Sequence, residues 1–102
     1  METKITQRDI VVLIPKGEGY RITSSDITKL TNINGSTIRK LVNEARSNFV
    51  PIASDKRGYF VAENPEELNH TIAQLNSRIH KMIKAREGLK KAQEIMKNKK
   101  EK

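Results

Sequence analysis

Cysteine and tryptophan are absent from this chain, and its aromatics are limited to two Tyr and two Phe. Without cysteine there is neither a disulfide nor a thiolate metal site, which fits a cytosolic protein. Long apolar runs are missing too. The longest, Ile10 to Ile14, falls far short of the ~18–20 residues of a membrane span. The opening Met1-Glu2-Thr3-Lys4 is polar and no apolar stretch of the secretory kind follows, so a cytoplasmic location is expected. His70 and His80 stand ten residues apart, not at the i, i+4 spacing that a helical metal site needs. Gly17-Glu18-Gly19 lacks the strand-to-helix setting of a nucleotide-binding loop. No Ser/His/Asp constellation and no pair of carboxylates in a cleft can be traced. The expectation is therefore a protein that is not an enzyme and holds no metal, cofactor or small-molecule ligand.

What the chain has in excess is positive charge. Its 102 residues, enough for one domain with a modest core, carry a formal net charge of +8. Residues 1–63 hold ten Lys/Arg against seven Asp/Glu, a net of +3; residues 64–102 hold ten against five, a net of +5. The second excess lies wholly from Arg78 onward. Such a balance suits a polyanionic partner whose phosphates supply affinity independent of sequence.

The most telling segment runs from Asp26 to Ile38, D-I-T-K-L-T-N-I-N-G-S-T-I. Ile27 and Leu30 have inward helical spacing, Asn32 stands at a turn that needs a residue tolerant of positive φ, and Ile33 plugs the corner. Asn34 then occupies the N-cap of a further helix. From there Ile38, Leu41, Val42, Ala45 and Phe49 recur on one side. Ser36, Lys40, Asn43 and Ser47 lie on the other, flanked by Arg39 and Arg46. Apolar within and hydroxyl, amide and cation without is the pattern of a helix that lies in a DNA major groove. Arg46 sits nearer the apolar edge, where its stem packs along the helix and its head stays wet.

Pro51-Ile52-Ala53-Ser54-Asp55-Lys56-Arg57-Gly58-Tyr59-Phe60-Val61 follows. Two short β-prone runs flank a polar tip with Gly58 and two cations, so a hairpin is expected. Tyr59 and Phe60 point to opposite faces, one to the core. Helix, turn, helix and hairpin in this order resemble the winged-helix DNA-binding domain of the biotin-repressor type, and are similar to small helix-turn-helix proteins of phages and other mobile elements. The resemblance covers about Gln7 to Ala62. The chain departs from the pattern in carrying Asn32 where Gly is usual, and Gly35 in the first turn of the recognition helix, where it weakens the helix start by roughly 0.5–1 kcal/mol and permits close approach of a phosphate.

Around this motif the sequence predicts a first helix over Gln7–Ile14 capped by Thr6, a loop at Pro15–Gly19, and a β-prone Tyr20–Thr23 that pairs as a third strand beside the hairpin. Ser24 or Ser25 is expected to cap the helix that holds Asp26 at its positive end. Asn64-Pro65-Glu66-Glu67 opens a long helix to about Lys97. In it Leu68, Ile72, Leu75, Ile79, Met82, Arg86, Leu89, Gln93 and Met96 alternate steps of four and three, a heptad seam. Ile83 and Ile95 widen it, while Arg86, Gln93 and Gly88 interrupt it.

The expected fold is mainly α with a small β wing: a winged helix-turn-helix over 1–63, an amphipathic dimerisation helix over 64–97, and a basic frayed tail over 98–102. The function this implies is sequence-specific binding of double-stranded DNA, as a small transcriptional regulator or a replication or recombination accessory factor of a phage or mobile element in its host's cytoplasm. Asn34, Ser36, Thr37, Arg39, Lys40 and Asn43 on the helix, with Lys56 and Arg57 on the wing, are the expected DNA contacts. Leu75, Ile79, Met82, Ile83 and Leu89 are expected between the chains of a homodimer, which would set two recognition helices about 34 Å apart on a palindromic site. The alternative is a protein-interaction module that uses the same fold and long helix to bind a replication or anti-defence protein without reading DNA.

Overall fold

A computed structural model describes residues 5–100 of the chain, so the polar opening Met1–Lys4 lies outside the described residues. The fold is mostly helical, with a small two-stranded antiparallel sheet and a long C-terminal helix. Its elements are α1 (Gln7–Val11), α2 (Ser24–Thr31), α3 (Gly35–Ser47), β1 (Ile52–Asp55), β2 (Gly58–Val61), a 3-10 turn (Pro65–Leu68) and α4 (Asn69–Lys100). The chain divides into two compact units, one ending at Thr71 and the other beginning at Ile72.

Each helix start is written in local chemistry. At α1, Asp9 Oδ2 accepts the Thr6 N–H at 2.9 Å. At α2 the cap is Thr23 and not Ser24 or Ser25. Thr23 Oγ1 accepts the Asp26 N–H at 3.0 Å while Asp26 Oδ2 accepts the Thr23 N–H at 3.3 Å, a reciprocal capping box. The hydrogen bonds from Thr23 hold the Asp26 carboxyl below its ordinary pKa. At α3, Asn34 Oδ1 accepts the Thr37 N–H at 2.9 Å. Asn64 Oδ1 accepts the Glu67 N–H at 3.1 Å, but the expected single helix begins as the 3-10 turn before α4 takes over, a common device at helix ends. α4 continues through Lys100, past the expected end at Lys97.

The helix ends account for several corrections. α1 stops at Val11 rather than Ile14, and the Leu13 and Ile14 N–H groups turn back to the Ile10 and Val11 carbonyls. A proline follows, which disfavours continued helix. Between α2 and α3, Asn32 adopts φ 63°, as its type at that turn leads one to expect. α3 ends in a Schellman motif: the Val50 N–H bonds the Ala45 carbonyl and the Phe49 N–H the Arg46 carbonyl, each at 3.0 Å. Phe49 fills the left-handed position, φ 69°, and is 93% exposed rather than continuing the inner stripe.

Ile10, Ile14, Ile27, Ile38, Leu41, Val42, Ala45 and Ile52 form the core. α3 supplies half of these at i, i+3, i+4 and i+7, and packs on α1, α2 and β1. Ile33 is half-buried against the core, but Leu30, expected inward, is 67% exposed.

β1 and β2 pair Ile52 with Val61, Ala53 with Phe60, Ser54 with Tyr59 and Asp55 with Gly58. Phe60 is buried and Tyr59 half-buried, the division their adjacency requires. Tyr20–Thr23 does not form a third strand; it contributes a single bridge, Ile22 to Tyr59, with N–H···O distances of 3.0 and 2.8 Å. On the other edge Thr71, 5% exposed, stands in for a strand: its Oγ1 accepts the Ser54 N–H at 3.0 Å and donates to the Ser54 carbonyl at 3.3 Å. Both edges of this short sheet are thereby occupied at their centre, which guards against pairing with foreign strands.

Candidate nucleic-acid interface

α3 has two unlike sides. Ile38, Leu41, Val42 and Ala45 are buried, whereas Ser36, Thr37, Arg39, Lys40 and Asn43 are all exposed. Their spacing places these five on one arc of the helix. The side chains of Ser36, Arg39, Lys40 and Asn43 make no hydrogen bond or ion pair among the described residues, so their donors and acceptors face solvent. Glu44, which falls within this arc between Lys40 and Thr37, is the sole acid on α3. Asn34 is also exposed, but its carbonyl oxygen is committed to the cap, which leaves its amide NH2 outward. A Cβ built on Gly35 would meet nothing within 4 Å. Nothing among the described residues requires glycine there.

Lys56 and Arg57 form the two-residue tip between β1 and β2 and are exposed. The tip is shaped by Asp55, whose Oδ1 accepts the Arg57 N–H at 2.8 Å, a local turn of the kind Asp favours. Partial burial pushes the Asp55 carboxyl up, but that hydrogen bond, another from Arg21, and the charges of Arg21 and Arg57 outweigh it. The Asp55 pKa therefore lies below its ordinary value. Gly58 completes the turn at φ 132°, where a Cβ would lie 2.5 Å from the Ile22 carbonyl oxygen. Only glycine fits.

Arg46 corrects the reading of its head as solvated. Nε donates to the Ile52 carbonyl at 2.9 Å and Nη2 to Ser54 Oγ at 3.1 Å, so it fastens α3 to β1. Helix and hairpin are thus held together by a charged group that does not face outward. Ser47 likewise spends its hydroxyl on the Asn43 carbonyl, at 3.0 Å.

Nothing in the sequence singles out Arg21. Its guanidinium is engaged by Asp55, by the Glu18 carbonyl and by the Phe60 ring, whose centroid lies 4.8 Å away. A lone Arg in a β-prone stretch gives no sign of such a role; its partner is 34 residues away.

α4 from Ile72 onward carries Ile79, Met82, Ile83 and Leu89 exposed, and Leu75 half-buried. Ile79, Met82, Ile83 and Arg86 border one shallow groove. Over its whole length α4 is barely amphipathic, because Arg86, Lys90 and Lys97 fall on the line begun by Ile72, Leu75, Ile79 and Met82. The apolar seam is confined to its first few turns. Among the described residues no group of His, Asp and Glu could hold a metal ion, and no helix is long and apolar enough to cross a membrane. Comparison with known proteins gives no match: no protein-family model, no curated protein and no solved structure matches the chain.

Proposed function

We propose that this protein binds double-stranded DNA in a sequence-specific way, as a winged helix-turn-helix in which α3 is the recognition helix and the β1–β2 hairpin the wing. The carrying observation is the exposed polar arc of α3, Ser36, Arg39, Lys40 and Asn43, whose side chains bond to no other described residue, on a helix whose opposite side is core. Arg and Asn there suit bidentate contacts to guanine and adenine edges; Lys40, Ser36 and Thr37 suit phosphates and nearby bases. The open space at Gly35 and the outward amide of Asn34 suit a phosphate at the start of α3. Lys56 and Arg57 serve as backbone contacts from the wing.

In this reading the protein is a small regulator of transcription or an accessory factor for replication or recombination. It dimerises through Leu75, Ile79, Met82, Ile83 and Leu89. A two-fold dimer favours a palindromic site. Selection of bound duplexes from a random-sequence library by the full-length chain tests the proposal. A recurring motif is expected; recovery of unrelated sequences at every salt concentration contradicts it.

A second reading, a protein-binding module, draws on Phe49 and Leu30. Both are large, apolar and exposed, and Phe49 is held in a conformation that bulky residues rarely adopt. The same selection separates the two readings.

A further inference from the structure

We infer that the stretch of α4 from Arg78 to Lys99 is a separate binding element for the phosphate backbone of double-stranded DNA. Between Arg78 and Lys99 the helix carries Arg78, Lys81, Lys84, Arg86, Lys90, Lys91, Lys97 and Lys99 against only Glu87 and Glu94, and all of them are exposed. Among the described residues two ion pairs form on it, Arg86–Glu87 at 2.9 Å and Lys91–Glu94 at 3.8 Å. Arg78, Lys81, Lys84, Lys90, Lys97 and Lys99 have no ion-pair partner among the described residues.

Helix stability alone does not ask for this arrangement. Arg86 and Lys90 stand at i, i+4, where like charges work against the helix. The cations also encircle it: Arg86, Lys90 and Lys97 share one side, while Lys81, Lys91 and Lys99 lie on another. At 1.5 Å per residue the charged stretch is about 32 Å long. Duplex DNA presents about 19 phosphate charges over that distance.

Three anionic surfaces could attract such a helix, and the distribution of its apolar residues chooses among them. A helix that lies on an anionic membrane needs an apolar face to insert opposite its cations. Here Leu89, Ile95 and Met96 are dispersed and α4 is barely amphipathic. A protein partner would call for a dense apolar patch as well, and the apolar seam ends near Ile83. A polyanion read by charge alone needs neither. This element does not depend on α3 reading any base, and it divides the labour: α4 supplies salt-dependent affinity for every sequence, while α3 supplies choice.

The test uses the full-length chain with Lys84, Lys90, Lys97 and Lys99 all changed to Gln, and a companion with the same four changed to Arg. Helicity of both is checked by circular dichroism. Binding to a duplex of arbitrary sequence is measured across a salt series. The Gln variant should bind about tenfold or more weakly near 0.1 M salt, with a slope of log K against log salt reduced by about 0.9 for each phosphate no longer neutralised, some two units or more in all. The Arg variant should match the unmodified chain. An unchanged slope in the Gln variant, or equal weakening in both variants, overturns the inference. So does weaker binding to phosphatidylserine vesicles, or to RNA, with duplex binding intact. Absence of any sequence preference, with the slope reduced in the Gln variant, would instead sink the α3 reading and leave this one standing.

Discussion

Arg21 grips Asp55 with two edges of its guanidinium: Nε donates to Oδ1 at 3.1 Å and Nη2 lies 2.8 Å from Oδ2. The same Oδ1 accepts the Arg57 N–H. One carboxylate thus forms the hairpin tip, neutralises a cation from the segment before α2, and holds that segment against β1. Because the pair is largely shielded, with side-chain exposures of 11% and 19%, it resembles a charged hydrogen bond in the interior more than a surface ion pair. Arg21→Ala is expected to destabilise the first unit by about 1.5–3 kcal/mol in urea unfolding.

The same pair predicts a pH dependence. The folded-state pKa of Asp55 is depressed, so its stabilisation is present in full above the unfolded value of about 4 and is lost as pH falls through the lower folded value. The stability gap between the unmodified chain and Asp55→Asn should be constant near pH 7 and shrink below about pH 4. Unfolding titrations from pH 7 to pH 2 check this; a gap that widens in acid contradicts it.

Two glycines predict opposite outcomes. Gly58→Ala forces a Cβ against the Ile22 carbonyl at positive φ and should destabilise by at least about 1–3 kcal/mol. Gly35→Ala meets no atom and should stabilise the free protein by about 0.5–1 kcal/mol, yet weaken DNA binding if a phosphate approaches there. Thermal unfolding and a binding titration on each variant separate the effects.

Phe49→Gly relieves a left-handed phenylalanine and should stabilise by about 1 kcal/mol. If Phe49 serves a protein partner, the gain in stability will come with loss of that partner and no change on DNA. Unaltered or lower stability in the unfolding curve would show that the αL position carries no strain.

Much of the first unit was legible because short-range chemistry wrote it. The cap at Asn34, the turn at Asn32, the hairpin around Gly58 and the inner stripe of α3 are all local signals. The misses come from competition between signals. Helical period carried Phe49 inward, but Pro51 two residues on marks a helix already ended. Thr23 outcompeted Ser24 and Ser25 because only Thr23 stands three residues before Asp26 and can share a capping box. The third strand shrank to one bridge. The roles of Arg21, Arg46 and Thr71 depend on partners distant in sequence, and no local pattern announces them.

The proposed dimerisation through α4 rests on a seam that is apolar only from Ile72 to Ile83, with Leu89 at its edge. Sedimentation of the full-length chain should show a dimer whose dissociation constant rises when Ile79 and Ile83 are changed to Ser. A monomer at high concentration would reduce the target to a single half-site.

The central claim, that α3 reads bases, is tested most directly by comparing selected and scrambled duplexes for Arg39→Ala and Asn43→Ala. Each variant should lose about 1–3 kcal/mol of discrimination at one base position of the selected site and retain most of its affinity for scrambled DNA. Undiminished discrimination in both variants would contradict the account.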